Sequence, residues 1–290
     1  MHPIREVLTE AGYRLFDIGD TWRTTALYRG GKTTNSLSIN KKTGGWIDFG
    51  VGKGGSAEQL AKIIAGKDIN FANYIPETHE IDKIKVTKTY PKDILRRLLP
   101  DYDLFLDRGI SKETLDLFEA GLATSGKLRN RVCFPIYSRD KKIIGFTGRW
   151  FKENRYDTIP KWLKVGQSKE WLYPNHLNLE IIRQSREIII VESVGDLLAL
   201  WEAGLRNSLC IFGTAISSKQ LSYIVGLDPE RIIIATNNDE DKSKGPAAAN
   251  KIKKKLTFLI NSDKIRVALP TKNDFGDMSK EEIRGWHGKI

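Results

Sequence analysis

The sequence predicts an α/β protein that is mixed α+β overall. From residue 186 onward, short apolar stretches alternate with helical ones, which is the pattern of a parallel sheet covered by helices. Between 36 and 49, two strand-like stretches are separated by a turn and followed by a helix, which predicts a small domain ahead of that sheet. With 40% hydrophobic and 29% charged residues in 290, the chain is expected to be globular.

The N-terminal stretch contains the clearest local signals. SLSIN (36–40) and GWIDF (45–49) are typical of strands. Ser56 precedes the helical stretch SAEQLAKII, Gln59 follows three residues later as a capping-box partner, and Gly66 is a typical helix terminator. These signals predict strands that are closed by one well-capped helix.

The remaining chain divides by composition. Mixed charge without a sustained period predicts a linker, whereas apolar strands alternating with helices predict the sheet domain. The expected order is an N-terminal domain (1–66), a linker (67–90), an extended middle block (91–184), the parallel-sheet domain (185–270) and a tail (271–290).

The charge balance favours a polyanionic partner. Lys and Arg number 47 against 36 Asp and Glu, a net charge of +11, although a basic surface kept for solubility is the alternative. No apolar run reaches the roughly 18 residues of a membrane span, so no membrane association is expected. The N-terminus carries acids and no apolar core, unlike a secretory signal. Cys133 and Cys210 lie in apolar stretches and are expected to be core thiols in a reducing cytoplasm.

Acidic and amide side chains follow two of the predicted strands. The apolar stretch 232–236 runs directly into the cluster NNDED at 237–241. In REIIIVES (186–193), Glu192 follows the apolar residues directly, with Asp196 four residues later. The carboxyl ends of parallel strands lie along one edge of a sheet, so these groups are expected to face one crevice. Carboxylate oxygens there suit Mg²⁺, which activates a hydroxyl and stabilises a leaving phosphate oxygen.

The 237–241 cluster has two other interpretations. A calcium-binding EF-hand loop requires glycine at its sixth position and an acid at its twelfth, where this chain has Lys244 and Asn250. That possibility is therefore excluded. A polar loop that merely caps the following helix remains the simpler alternative.

Several motifs in order resemble a known family. IIIVESVGDLLALWEAG, then IFGTA followed by Gln220, then IIIATNND with a later glycine resemble the Toprim domain. Upstream, LDRGISKETLDLFEAGLA, KLRNRVCFPIYSRDKKIIGFTGRW and PKWLKVGQSKEWLYP resemble the RNA-polymerase core of DnaG-type primases. The resemblance covers about 100–275 and implies a polymerase core that contains a Toprim parallel-sheet domain. Its structural turns would be at Gly213, Thr214 and Gly245.

The N-terminal segment resembles the zinc ribbon of the same family without its metal ligands. GWIDFGVGKGG matches the second Cys-x-x-Cys turn, with Asp48 and Val51 at the cysteine positions, and ALYRG (26–30) stands where a Cys and a His are expected. No four-ligand set can be assembled, so zinc is not expected. The domain is instead expected to be held by an apolar core of Leu37, Ile39, Trp46, Phe49 and Leu60.

The resemblance also implies roles at the acidic edge. Glu192 would be a metal ligand or control acid–base chemistry, with Asp196 in support. Asn237 and Asp239 would form the DxD-type pair, and Asp241 would contribute; a second register makes Asp239 and Asp241 the pair. Asn237 stands where an acid is expected and brings no charge. Asp274 and Asp277 resemble an acidic stretch that closes the Toprim domain.

Basic and aromatic side chains complete the site that the resemblance implies. The residues expected to face template and nucleotide are Arg129, Arg131, Arg149, Lys161 and Lys169. Three nearby tryptophans, which can stack bases, are Trp150, Trp162 and Trp171.

The resulting expectation is a DNA primase that makes short RNA primers on a single-stranded DNA template for replication. NTPs would be the substrates and Mg²⁺, or Mn²⁺, the cofactor. No P-loop follows the Toprim motifs, so a separate replicative helicase is the expected partner, in a bacterial or phage-infected cytoplasm. The alternatives are a Toprim nuclease and a catalytically inactive module that binds single-stranded DNA, which Asn237 favours.

Overall fold

The computed structural model describes residues 2–66, 88–138, 140–152, 159–238 and 244–290, without the side chains of Glu170 and Lys244. The predicted linker lies outside these ranges except for its last three residues. Asp239 and Asp241 also lie outside them. In the part of the chain that is described, no helix is long and apolar enough to cross a membrane.

The N-terminal residues form an antiparallel sheet flanked by two helices. Its strands follow one another in chain order: β1 Phe16–Ile18, β2 Thr21–Thr24, β3 Leu37–Asn40, β4 Trp46–Asp48 and β5 Lys53–Gly55. The helices are α1 Ile4–Glu10 and α2 Ala57–Ala65. The predicted capping box is confirmed, because the Ser56 hydroxyl accepts from the Gln59 N–H and the Gln59 side chain accepts from the Ser56 N–H. Gly66 ends α2 with a left-handed φ of 66°, also as predicted.

A second antiparallel sheet forms the middle of the chain. Its order within the described ranges is β10-β9-β8-β7-β6. The strands are β6 Leu98–Leu99, β7 Gly121–Ala123, β8 Arg131–Tyr137, β9 Ile143–Trp150 and β10 Trp162–Gly166. The helices of this part are α3 Asp103–Leu106, α4 Lys112–Leu117 and α5 Asn175–Ser185.

The third sheet is parallel throughout, which confirms the predicted α/β class. Its order in the described chain is β12-β11-β13-β14. The strands are β11 Glu187–Val191, β12 Ser208–Cys210, β13 Arg231–Ile234 and β14 Ile265–Val267. The helices are α6 Val194–Glu202, α7 Ser218–Leu227, α8 Lys244–Leu259 and α9 Lys280–Gly288. β11 and β13 are direct neighbours, with Ile190 opposite Ile234.

Alternating side chains of the parallel strands feed two cores. Ile189, Val191 and Ile233 face α6, α9 and the aromatic residues of the middle block. Ile190 and Ile234 face α7 and α8 on the other side. Both cysteines are buried free thiols, as predicted.

The N-terminal sheet packs against α8. Thr43 Oγ1 donates to the Phe258 carbonyl at 2.6 Å, and Asn40 Nδ2 donates to the Leu259 carbonyl at 3.2 Å. Gly45 allows this close approach, since a Cβ there would lie 2.1 Å from the Phe258 oxygen. Ile47, on the opposite face of β4 from Trp46, joins the α7–α8 core.

The predicted N-terminal core is right at four positions and wrong at one. Leu37, Ile39, Trp46 and Leu60 are buried together. Phe49 is half-buried and packs against the α7–α8 core instead, because it follows the end of β4 at the surface where the N-terminal sheet meets α7.

A buried ion pair stands where the resemblance places metal ligands. The Asp48 side chain has no exposed surface and accepts from Arg29 Nε at 2.5 Å and from one of its terminal nitrogens at 2.8 Å. The same carboxylate accepts from the Tyr28 hydroxyl at 2.7 Å and from the Gly50 N–H at 2.8 Å. The ion pair and these hydrogen bonds therefore join the 26–30 segment to the β4–β5 turn.

Candidate active site

The acidic edge starts at the carboxyl end of β11. Ser193 caps α6: its hydroxyl accepts from the Asp196 N–H, and the Asp196 side chain accepts from the Ser193 N–H at 3.2 Å. The capping geometry holds Glu192 immediately before the helix, where its side chain reaches the neighbouring strand.

Asp196 ties this edge to the C-terminal segment. It is 2% exposed, and its second oxygen accepts from the Phe275 N–H at 3.2 Å. Burial, and then the negative charges of Asp274 and Glu192, raise the pKa of Asp196 to about 7, against opposing hydrogen bonds from Ser193 and Phe275. The carboxylates here repel one another, which is the electrostatic setting that favours a bound cation.

Glu192 meets the end of β13 directly. Its Oε1 accepts from the Asn237 N–H at 3.2 Å, and Asn237 lines the same cleft. Of the predicted metal ligands, the structure thus brings Glu192 and Asn237 together. Asp239 and Asp241 lie outside the described residues. The described residues alone bring no three His, Cys, Asp or Glu side chains into a metal-binding cluster.

The segment after β13 is fixed from both sides. The Asn238 N–H donates to the Asn273 carbonyl at 2.8 Å, and its side chain donates to the Pro270 carbonyl at 3.2 Å. At the start of α8, Gly245 lies so close that a Cβ would be 1.9 Å from the Asn237 oxygen. Gly245 therefore lies in the first turn of α8, where the close approach of Asn237 leaves no room for a side chain.

Replacing Gly245 with Ala is expected to displace the end of β13 from Glu192. Overpacking of this kind costs about 1–3 kcal/mol, so the free energy of unfolding in urea should fall by that amount. Gly285→Ala is the matched control, because a Cβ at Gly285 in α9 would have no neighbouring atom within 4 Å. Equal stabilities of the two variants would contradict a close approach at Gly245.

The loop after β12 forms a second wall. Phe212 and Gly213 have φ angles of 61° and 141°, and the Gly213 N–H donates to the Glu192 carbonyl at 3.0 Å. Lys164 Nζ donates to the Phe212 carbonyl at 2.9 Å. Gly213 lines the cleft, while Thr214 is exposed outside its lining.

A basic face lies opposite the acidic edge. Arg149 and Thr147 on β9 are paired with Trp162 and Lys164 on β10, so all four project from one face of the middle sheet. The Arg149 guanidinium lies over the Trp162 ring at 5.9 Å. These side chains, together with Arg108, Lys161, Glu192, Asp196, Gly213, Asn237 and Asp274, line a cleft of about 290 Å³.

Three of the predicted basic residues lie outside this cleft lining. Arg131 is on the opposite face of β8, where it donates to the carbonyls of Pro160, Lys161 and Gly148 and lies over the Trp150 ring. Arg129 and Lys169 are exposed.

Two further residues that were predicted for the site, Trp171 and Asp277, also lie outside the cleft lining. Trp171 is fully buried against Phe212, so its face is not open to a base. Asp277 is exposed, and its N–H donates to Asp274 at 3.1 Å, whereas Asp274 itself lines the cleft.

Sequence reasoning missed Lys164, Thr147 and Arg108. The signal for the first was available, since Lys164 stands two residues after Trp162 in a strand and must share its face. Thr147 stands in the same relation to Arg149. Arg108 lies in the stretch LDRGI, and only the tertiary fold brings that stretch to the cleft.

Comparisons with known proteins agree with this architecture. The Toprim domain family matches residues 186–267. A DNA primase of Helicobacter pylori is 26% identical over 268 residues, covering 73% of this chain and 46% of the relative. The chain thus spans about half the length of the curated relatives it matches.

Two solved structures share the fold. The zinc-binding and RNA-polymerase domains of the Aquifex aeolicus primase superpose with a TM-score of 0.54 at 21% identity, covering 99% of this chain and 82% of that one. A DnaG primase catalytic domain bound to ssDNA gives a TM-score of 0.53 at 19% identity, covering 64% and 70%. Proteins of this type use a divalent metal ion. The chain thus contains a Toprim domain at 186–267, and its sequence and fold are similar to those of DnaG-type primases.

Proposed function

We propose that this chain is a DNA primase, which joins ribonucleotides into short RNA primers on a single-stranded DNA template. The observation that carries the proposal is one cleft with an acidic wall and a basic wall. Glu192 and Asp274 lie on the first, and Arg149, Lys161 and Lys164 on the second. Joining nucleotides, which are polyanions, requires both walls. The carboxylates of the acidic wall would hold a divalent cation, and the basic wall would neutralise the phosphates.

A divalent cation fits the acidic wall. The pKa of Asp196 is raised first by burial and then by the negative charges of Asp274 and Glu192, so these carboxylates repel one another. Glu192 and Asp274 would hold the ion, with Asn237 and the acids at 239 and 241 as further oxygen donors. We propose Mg²⁺, with Mn²⁺ as a substitute, because all these donors are hard oxygens. When bound, the ion lowers the pKa of the attacking hydroxyl and stabilises the leaving phosphate.

The protein groups have separate tasks. Asp196 would position Glu192 by fixing the start of α6 and the segment at Phe275. Arg149 and Lys161 would bind phosphates of template and nucleotide. A base could stack on the Trp162 ring, but only on the face that the Arg149 guanidinium does not cover. One solved structure that shares the fold is a DnaG primase catalytic domain bound to ssDNA, which supports the proposal that this chain binds a single-stranded template.

One assay separates the proposal from its rivals. The chain is incubated with labelled NTPs, single-stranded DNA and Mg²⁺ or Mn²⁺. Short RNA products support the primase, cleavage of the DNA without synthesis indicates a nuclease, and binding with neither indicates an inactive module. A replicative helicase as a separate partner is proposed with the primase, and stimulation of synthesis by added helicase tests it.

Replacing Lys161 with Gln is expected to weaken binding of single-stranded DNA. Loss of one phosphate contact should reduce the slope of log affinity against log salt by about 0.7. Lys169→Gln is the matched control, since both lysines are exposed but only Lys161 lines the cleft. Fluorescence anisotropy across a salt series measures both. An equal change in slope would contradict the cleft as the template site.

Replacing Asn237 with Asp is expected to tighten metal binding. A carboxylate at this cleft position adds a negative charge beside Glu192 without changing side-chain size. Primer synthesis should then require less Mg²⁺ for half-maximal rate, whereas Asp239→Ala should abolish synthesis. Unchanged metal dependence in Asn237→Asp would show that Asn237 is not part of the metal site.

A further inference from the structure

A second groove lies between the N-terminal sheet and helices α5 and α7. Its volume is about 950 Å³, and its described lining shares no residue with the cleft. One side comes from the N-terminal domain, with Arg23, Asn35 and Phe49. The other comes from the parallel-sheet part, with Tyr223 and His176 among its residues. Any ligand here would touch both parts of the chain.

Arg23 is a buried cation with incomplete partners in this groove. The residue is 9% exposed, and its guanidinium lies over the Phe49 ring at 4.7 Å. One terminal nitrogen donates to the Val225 carbonyl at 3.4 Å. Its buried Nε has no hydrogen-bond partner among the described residues.

No carboxylate of the described chain forms an ion pair with this guanidinium, although Asp228 lines the same groove. Burial lowers the pKa of Arg23, and the charge of Asp228 offsets part of that effect. The Asp228 carboxylate itself is paired with Arg186 at 3.2 Å. A buried charge that is only partly compensated is costly, and so is a buried donor without an acceptor.

Packing alone does not account for Arg23. The Val225 carbonyl is in the last turn of α7, where a helix favours a cation, so a clamp between the two domains explains that one contact. It does not explain the unpartnered Nε. The Nε and a terminal nitrogen of a guanidinium form the edge that binds two oxygens of a phosphate at once.

We propose that this groove binds a phosphate group, with Arg23 as its anchor. The phosphate belongs to a nucleotide or to the backbone of a single strand. The volume of the groove, about 950 Å³, lies within the roughly 300–1,000 Å³ of small-molecule sites. The proposal does not depend on catalysis in the cleft.

Hydrogen–deuterium exchange on the full chain tests the proposal. The probes are inorganic pyrophosphate, ATP and a short oligothymidylate, each titrated separately. The expected result is slower exchange in β2 and α7. Protection by pyrophosphate and ATP assigns the phosphate to a nucleotide, whereas protection by the oligothymidylate alone assigns it to the strand. Absence of protection in these segments with all three probes would overturn the proposal, whatever the outcome of primer synthesis.

Two variants make the test specific. Arg23→Gln should weaken the protecting ligand at least about tenfold, the loss expected for a charged hydrogen bond. Arg14→Gln is the matched control, because Arg14 is exposed and its guanidinium also lies over a ring, that of Phe16, at 5.1 Å.

A second variant keeps Arg23, so weaker binding in it cannot be caused by misfolding after removal of Arg23. Asn35 is exposed on the groove, so Asn35→Asp adds a negative charge with little risk to the fold. It should weaken the same ligand several-fold by repulsion. Affinity equal to that of the unaltered chain, in Arg23→Gln or in Asn35→Asp, would leave Arg23 as a clamp only.

Discussion

Replacing Glu192 with Gln is expected to reduce primer synthesis by more than about a hundredfold, since even indirect partners of a metal contribute about 10–100-fold. The change keeps the size of the side chain, and its amide oxygen still accepts the Asn237 N–H. The fold should therefore persist while the charge proposed to hold the cation is lost. Labelled-NTP incorporation on single-stranded DNA measures the rate, and circular dichroism checks the fold.

The control for Glu192 is an acid on the surface of α5. Glu180 is exposed and paired with Arg183 at 2.6 Å, so Glu180→Gln should leave synthesis unchanged. Binding of single-stranded DNA should survive in Glu192→Gln, because the basic wall is intact. A variant that keeps full synthesis would rule out Glu192 as a metal-binding residue.

Replacing Asp48 with Ala is expected to destabilise the N-terminal domain by about 3 kcal/mol, at the lower end for breaking a buried ion pair. The lower end applies because the Arg29 side chain keeps 29% exposure. The variant also leaves the Tyr28 hydroxyl and Gly50 N–H without their acceptor. Urea unfolding followed by tryptophan fluorescence suits the measurement, since Trp22 and Trp46 lie in this core. A chelator should not shift the midpoint of the unaltered chain.

The same ion pair predicts a pH dependence. Burial alone would raise the pKa of Asp48, but hydrogen bonds from Arg29, Tyr28 and Gly50 outweigh it and the pKa lies below its ordinary 3.8. The stabilisation is therefore complete above pH 3.8 and is lost as the pH falls through the lower, folded-state pKa. Asp48→Ala should lack this acid-dependent loss.

Asp17→Asn is the matched control for Asp48. Asp17 is paired with Lys41 at 2.6 Å, but its side chain is 71% exposed, so its removal should change stability little. An unfolding curve of Asp48→Ala that overlays that of Asp17→Asn would contradict a structural role for the buried pair.

Much of the fold was predictable because local and global signals agree. The Ser56 and Gln59 capping box, the Gly66 stop and the alternation after residue 186 depend on short-range chemistry that packing reinforces. Phe49 was misassigned because the N-terminal sheet buries side chains on two surfaces, its own core and the one against α7. A strand pattern alone does not say which neighbour covers each face.

Site residues were predictable where their positions follow from the ends of parallel strands. They were less predictable where their role depends on the sheet face from which the side chain projects. Glu192 and Asn237 meet because β11 and β13 are parallel neighbours. Arg131 and Arg149 resemble each other in sequence context, yet they project from opposite faces of the middle sheet. Arg29 and Asp48 form an ion pair between separate segments, and the spacing of these residues in the sequence does not predict that contact.

The most direct test is the stoichiometry of the first bond formed. The chain, a single-stranded template, Mg²⁺ and NTPs should yield template-dependent dinucleotide and pyrophosphate in equal amounts, and Glu192→Gln should yield neither. Template cleavage, or template binding with no dinucleotide from the unaltered chain, would contradict a nucleotide-joining cleft.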